Sequence, residues 1–104
     1  MKAYRRRYLF LIVDSKEKLD CENVFREIKS VFENFFGLSN LYLSRLKLEW
    51  CDEGRLIISV NSIFLKEAVA AVTLVGRGGE GKFTLTVTAV AETIKRLREK
   101  SNGT

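Results

Sequence analysis

Near its N-terminus the chain carries basic side chains that are able to bind phosphate. Arg5, Arg6 and Arg7 are adjacent and lead directly into an apolar run at residues 8–13. Guanidinium groups bind phosphate oxygens through charge and paired hydrogen bonds. A second basic group stands near the other end of the chain, at Lys95, Arg96, Arg98 and Lys100. Both groups are candidate contacts for a polyanion. The alternatives are a solubilising flank for the first group and a solvated helix face for the second.

A glycine-rich segment at residues 76–82 carries two further cations, Arg77 and Lys82. Regular structure is costly for its glycines, so the segment is predicted to be a flexible loop. Arg77-Gly78-Gly79 is a single RGG element and favours a mobile connector, with both cations available for extra phosphate contacts. The segment lacks the GxxxxGK(S/T) pattern of a nucleotide-binding loop.

The composition argues against chemistry performed by this chain. It contains no histidine, and its two cysteines, Cys21 and Cys51, have no CxxC spacing. Ser-His and Cys-His nucleophile pairs are excluded, and a zinc site would need about four Cys or His ligands. Asp52 and Glu53 lie in a predicted turn, and the residue preferences of turns account for them without a catalytic role. We therefore expect no catalytic residues, no metal site and no bound cofactor.

Length and composition predict one soluble domain over residues 1–104, with an ordered core at 5–100 and a frayed tail at 101–104. The chain is 46% hydrophobic and 30% charged, with a formal net charge of +5. No apolar run approaches the roughly 20 residues that span a bilayer. The basic N-terminus lacks the apolar core of a secretory signal. These features predict a cytoplasmic protein without membrane contact, and the charge favours a polyanionic partner.

Changes of hydrophobic period divide the chain into six main elements. The run at 8–13 reads as a buried strand, and a helix follows from the N-cap Asp20 to the C-terminal Gly37. Residues 41–61 alternate as a hairpin about a turn at 52–54. A second helix is predicted from Asn61 or Ser62 to about Val75, a fourth strand over 83–89 and a short basic helix over 91–100.

This order predicts an α+β two-layer sandwich of the ferredoxin-like, RNA-recognition-like βαββαβ type, with a four-stranded antiparallel sheet. One sheet face is expected to be polar and open, since its residues alternate with apolar ones: Lys47, Ser59, Thr84, Thr86 and Thr88. In this topology the first strand is central and its start lies beside the end of the fourth. The two basic groups are therefore expected to merge into one patch.

Recognition of bases would require aromatic side chains on the open face. The third strand, at residues 55–60, has none. Phe10 stands at the corresponding place on the first strand and is assigned to the core. The sequence therefore predicts recognition of RNA shape and backbone in preference to base stacking.

An exposed strand edge is expected around Leu41, Tyr42 and Leu43, where another chain could pair. This edge supports an alternative function, a ferredoxin-like protein-interaction or ligand-sensing module with no RNA role. A small phosphatase of similar fold is disfavoured because the sequence has no phosphate-cradling loop followed by a catalytic arginine and asparagine.

The order of several short motifs resembles one family over residues 5–100. The motifs are Arg7-Tyr8-Leu9 entering the first strand, a helix closing on Phe36-Gly37, an alanine-rich second helix at 68–75, and Thr93-Ile94-Lys95 after the last strand. In this order they resemble ribonuclease P protein component 2, a small subunit of archaeal and eukaryotic ribonuclease P. Two positions depart from the family: Ala91-Glu92 replaces a Ser-Gly pair, and Ser59 stands where the third strand often carries arginine.

The resemblance implies a non-catalytic subunit of an RNA-based endoribonuclease that acts in tRNA processing. In that family the RNA, with magnesium, removes the 5′ leader of precursor tRNA, and the protein supports the RNA fold. The resemblance also implies partners, namely ribonuclease P RNA, the TIM-barrel protein component 3 and other ribonuclease P proteins. Component 3 and this subunit would form a two-plus-two assembly.

Overall fold

The computed structural model of the chain describes residues 5–15, 20–78 and 83–93. Its elements are β1 (Arg6–Ser15), α1 (Cys21–Phe36), α2 (Leu38–Ser44), β2 (Lys47–Asp52), β3 (Arg55–Asn61), α3 (Leu65–Gly78) and β4 (Phe83–Ala91). A short 3-10 turn, Ser62–Phe64, precedes α3. The strands form one antiparallel sheet in the order β2-β3-β1-β4. The predicted ferredoxin-like arrangement is confirmed, with α2 as an added element.

Helix α1 begins and ends where the sequence predicts. The Asp20 carboxylate accepts a hydrogen bond from the Glu22 amide at 3.2 Å, which satisfies one free N–H of the first turn. Gly37 follows the helix with φ 93°, in a region that glycine enters without steric cost, and its amide donates to the Glu33 carbonyl at 2.8 Å. The apolar stripe buries Val24, Ile28 and Phe32.

The core lies between the sheet and the helices α1 and α3. Alternate residues of a strand face opposite sides of the sheet, so every second side chain of β1 and β3 points at the helices. Fully buried residues on this side include Leu9, Leu11, Leu56, Ile58 and Val60 from the strands. Helix residues Ile28, Phe32, Ala68 and Val72 pack against them. This face of the sheet forms the core of the domain.

The other face of the sheet is less polar than the sequence predicts. Phe10 lies there in a second apolar cluster with Tyr8, Trp50 and Ile57, so its assignment to the main core is wrong. The pairing of β2 with β3 shifts between Leu48 and Trp50, which moves Trp50 opposite Ile57. A second shift, in the pairing of β1 with β4, sets Ala89 opposite Phe10. A bulge adds one residue to a strand, so every later residue of that strand lies on the face opposite to the one that simple alternation predicts. Sequence alternation alone does not reveal where a bulge occurs.

Residues 38–44 form helix α2, so the predicted hairpin starting at residue 41 is wrong in its first part. The helix repeats its apolar residues three positions apart, at Leu38 and Leu41, and Leu41 packs against the core. Ser44 is fully buried and its hydroxyl donates to the Leu41 carbonyl at 2.6 Å. The strand that does pair with β3 begins only at Lys47. The turn at 52–54 is confirmed.

The ends of the later elements also differ from prediction. Asn61 is the last residue of β3 and makes no side-chain cap, and the α-helix α3 starts at Leu65. Helix α3 continues to Gly78, so the predicted loop does not begin at residue 76. Extending a formed helix gains one hydrogen bond per residue, which offsets about 1 kcal/mol per glycine. Strand β4 continues to Ala91, where the sequence predicts the terminal helix. The rest of that helix and the tail lie outside the described residues.

A disulfide between Cys21 and Cys51 joins the start of α1 to β2. The two Cα atoms are 6.2 Å apart, within the range that a disulfide bridges. Cys51 reaches the helix side because the shift at Trp50 sets it opposite the buried Leu56. The bond connects the first helix to an edge strand, which is a pairing that cysteine spacing alone does not predict.

Candidate nucleic-acid interface

The three arginines at the start of β1 have different environments. Arg5 is exposed, and its carbonyl accepts a hydrogen bond from the Ser62 amide at 2.7 Å, which fixes its backbone beside the turn before α3. Arg6 and Arg7 are half-buried. Since they are consecutive strand residues, their side chains lie on opposite faces of the sheet. The cluster that is continuous in the sequence is therefore divided in space.

Arg6 belongs to a hydrogen-bonded chain on the open face. Its Nη2 donates to the Arg45 carbonyl at 2.8 Å and to the Ser59 hydroxyl. The same hydroxyl donates to Glu49 Oε2 at 2.6 Å. Ser59 thus links the guanidinium to a carboxylate and is itself fully buried. These two bonds use one nitrogen of Arg6, whereas a guanidinium offers five N–H donors.

Arg7 lies beside the end of β4. Its Nη2 is 4.0 Å from Glu92 Oε1, with the two side chains 23% and 64% exposed. At this distance the ion pair is weak, and it places one negative charge beside the half-buried Arg7. Tyr8 pairs with Ala91, which confirms that the start of β1 adjoins the end of β4.

The predicted merging of the two basic groups stays a prediction. Lys82, Lys95, Arg96, Arg98 and Lys100 lie outside the described residues. Arg77 belongs to α3 and not to a loop, and its side chain is also not described.

Two cations that the sequence does not mark as phosphate contacts, Arg45 and Lys47, stand near Arg6. Arg45 is exposed, and its left-handed backbone, with φ 52°, ends α2 beside the Arg6 guanidinium. Lys47 is exposed and opposes Ser59 across the β2–β3 pair. The sequence feature that could have identified them is Arg45-Leu46-Lys47, in which two cations two positions apart lie at the start of a strand. Together these residues form the basic end of the sheet: Arg5, Arg6, Arg7, Arg45 and Lys47.

The acids near the basic end are fewer than the cations. Glu49 is joined to Arg6 through Ser59, and Glu92 is near Arg7. Neither carboxylate has a bond to Arg5, Arg45 or Lys47 within the described part of the chain. The basic end therefore has an excess of positive charge, and lysine and arginine grouped in this way bind phosphates largely independently of base sequence.

Apolar side chains form an exposed surface where α1 meets α2. Phe35 is 64% exposed, Leu38 65%, Tyr42 82% and Leu43 55%, and together they define the helical apolar patch. The predicted interface residues Tyr42 and Leu43 thus lie on a helix instead of a strand edge, and Leu41 turns inward. Contiguous exposed apolar residues mark surfaces that bind other molecules.

Residues 5–15, 20–78 and 83–93 contain no group of three or more Cys, Asp or Glu side chains positioned to hold a metal ion. None of the helices in these ranges combines the length and apolar character needed to cross a membrane.

Comparison with known proteins supplies a fold and no family. No family model matches the sequence, and no curated protein matches it. Among solved structures, a chain in the cryo-EM structure of yeast ribonuclease MRP is similar, with a TM-score of 0.70 and 11% sequence identity. The similarity covers 99% of this chain and 95% of that chain. The protein therefore has the fold of a chain found in yeast ribonuclease MRP.

Proposed function

We propose that this protein is an RNA-binding accessory subunit of ribonuclease P that supports RNA-catalysed removal of the 5′ leader from precursor tRNA. The observation that carries the proposal is the basic end of the sheet, on a fold shared over 99% of the chain with a chain of yeast ribonuclease MRP. The resemblance of the ordered motifs to component 2 supports the same assignment. The RNA and its magnesium would perform the cleavage, in the cytoplasm.

The cations of the basic end come from separate segments and can contact several phosphates at once. Arg5, Arg6 and Arg7 enter on β1, whereas Arg45 and Lys47 precede and begin β2. The Arg6 guanidinium donates a hydrogen bond to the hydroxyl of Ser59. The Arg6 guanidinium thus contacts the residue that stands where component 2 often carries an arginine. Further phosphate contacts are proposed for Arg77, Lys82, Lys95, Arg96, Arg98 and Lys100.

The helical apolar patch is proposed to bind the protein partner. Four large side chains of α1 and α2 are each more than half exposed, and three of them line one shallow depression: Leu38, Tyr42 and Leu43, with Phe35 as the fourth. Burying such side chains gains about 25 cal/mol for each Å² of apolar surface. In the ribonuclease P assignment the partner is protein component 3, in a two-plus-two assembly.

Reconstituted cleavage of precursor tRNA tests the proposed function. Catalytic RNA, the partner proteins and a precursor labelled in its 5′ leader are mixed with and without this chain, over a series of magnesium concentrations. We expect the chain to raise the cleavage rate most at low magnesium, because its cations reduce repulsion between phosphates that the metal otherwise screens. Equal rates with and without the chain at every magnesium concentration would exclude this function.

A second candidate is a protein-interaction or ligand-binding module without an RNA role. The helical apolar patch favours it, as do the carboxylates near Arg6 and Arg7, which reduce the charge of two candidate RNA contacts. A chain that binds no ribonuclease P RNA but forms a stable oligomer, lost on Tyr42→Glu, would support this module.

A further inference from the structure

The open face of the sheet places aromatic side chains in two neighbouring rows. In the first row Lys47 opposes Ser59, Ser59 opposes Tyr8, and Tyr8 opposes Ala91. In the second row the order is Trp50, Ile57, Phe10 and Ala89. Tyr8 and Phe10 are two residues apart on β1, so their rings are attached about 7 Å apart. The β4 residues beside the two rings are the small Ala91 and Ala89, which pack in the same apolar cluster.

These aromatic residues form a platform that is partly open. Tyr8, Phe10 and Trp50 are half-buried, while Ile57 beneath them is 3% exposed. The helices α1 and α3 pack on the opposite face of the sheet, against Leu9, Leu11 and their neighbours. No helix of the described ranges packs on the aromatic rows. The three rings pack over Ile57, and each is partly exposed.

A polar group without a partner borders the same platform. Asn61 opposes Arg6 and, by strand alternation, lies on the open face with Ser59. It is 3% exposed, and its Oδ1 has no hydrogen-bond partner among the described residues. Buried polar atoms normally have partners, but this oxygen is itself buried, so Asn61 borders the platform as a polar side chain and not as a contact surface.

We propose that the open face binds unpaired nucleotides of RNA by stacking their bases on Tyr8, Phe10 and Trp50. The inference rests on the proposed function and adds how the RNA is recognised. Every base has a flat aromatic surface and a phosphate at its side, and the platform offers aromatic rings beside Arg6 and Lys47. This charge complementarity selects RNA over an apolar segment or a second copy of the chain.

Trp50 is the only tryptophan of the chain and therefore reports directly on the platform. The unaltered protein is titrated with a single-stranded oligouridylate of about ten nucleotides and, separately, with a perfect RNA duplex, while tryptophan fluorescence is recorded. We expect saturable quenching by the single strand and none by the duplex, whose bases are already stacked. In separate variants, Tyr8→Ala and Phe10→Ala should each weaken binding of the single strand about 5- to 100-fold. The control Phe35→Ala, an exposed aromatic on α1, should leave it unchanged.

Each outcome decides the inference. Quenching of the unaltered protein supports it even where an alanine variant does not fold. Salt-dependent binding of duplex and ribonuclease P RNA without any quenching by single strands overturns it and leaves the proposed function standing. Absence of all RNA binding overturns both. Fluorescence that changes with protein concentration alone assigns the face to a second copy and overturns the inference.

Discussion

Reversing three exposed cations at the basic end, with Arg5→Glu, Arg45→Glu and Lys47→Glu combined, is expected to lower affinity for ribonuclease P RNA about 100-fold. Each cation near a polyanionic surface contributes about 1 kcal/mol, and three lost contacts sum to roughly 3 kcal/mol. The slope of log affinity against log salt should fall by about 2, since each phosphate contact contributes about 0.7 for single strands. Binding measured over a salt series gives both values.

The matched control reverses three cations away from the basic end: Arg26 and Lys29 on α1, and Arg55 at the far end of β3. All three are exposed and carry the same change in net charge. We expect them to leave most of the affinity and the salt slope in place. An equal loss in both triple variants would mean that the RNA responds to total charge, and that the basic end is not a site.

Replacing Phe32 by alanine is expected to have the largest effect on stability, a loss of about 3–5 kcal/mol in the free energy of unfolding. The side chain is fully buried between α1, α3 and the sheet. Its ring centroid lies 5.1 Å from that of Phe36 and 6.4 Å from that of Phe64, so truncation leaves a cavity and removes both aromatic contacts. Denaturant unfolding gives the change in free energy.

Phe35→Ala is the control for Phe32→Ala. Phe35 is 64% exposed on the same helix, and its truncation should change the free energy of unfolding by no more than about 0.5 kcal/mol. Similar losses in the two variants would contradict the assignment of the core to the Phe32 side of α1.

Sequence reasoning succeeds here where local chemistry and period agree. Asp20, the apolar stripe through Ile28, and Gly37 each indicate the same helix, and α1 has these bounds. The order of strands and helices then leaves few compact arrangements, so the sheet order and the meeting of Tyr8 with Ala91 follow from topology.

The features that could not be predicted depend on register and on long-range contacts. A bulge adds one residue to β2 between Leu48 and Trp50, and Trp50 therefore faces away from the helices. Nothing in the sequence Leu48-Glu49-Trp50 predicts this bulge. Helix α2 is seven residues long, and its stability comes from packing Leu41 on the core instead of from local propensity. The sequence does not reveal the aromatic platform, because alternation along β2 does not show that Trp50 shares a face with Phe10.

The candidate site was predicted in part for the same reasons. Arg5, Arg6 and Arg7 are adjacent in sequence and were found directly. Arg45 and Lys47 join them only because α2 ends beside β1 and because β2 pairs with β3 in one register. The charge balance of Arg6 through Ser59 and Glu49 depends on three strands meeting, which sequence spacing does not encode.

Cross-linking tests most directly the claim that the basic end of this sheet binds RNA. The unaltered chain is irradiated with ultraviolet light in its complex with ribonuclease P RNA, and the peptides that carry nucleotides are identified by mass spectrometry. We expect nucleotides on peptides that contain residues 5–10 and 45–50. Cross-links confined to α1 and α3, with none on these two segments, would contradict it.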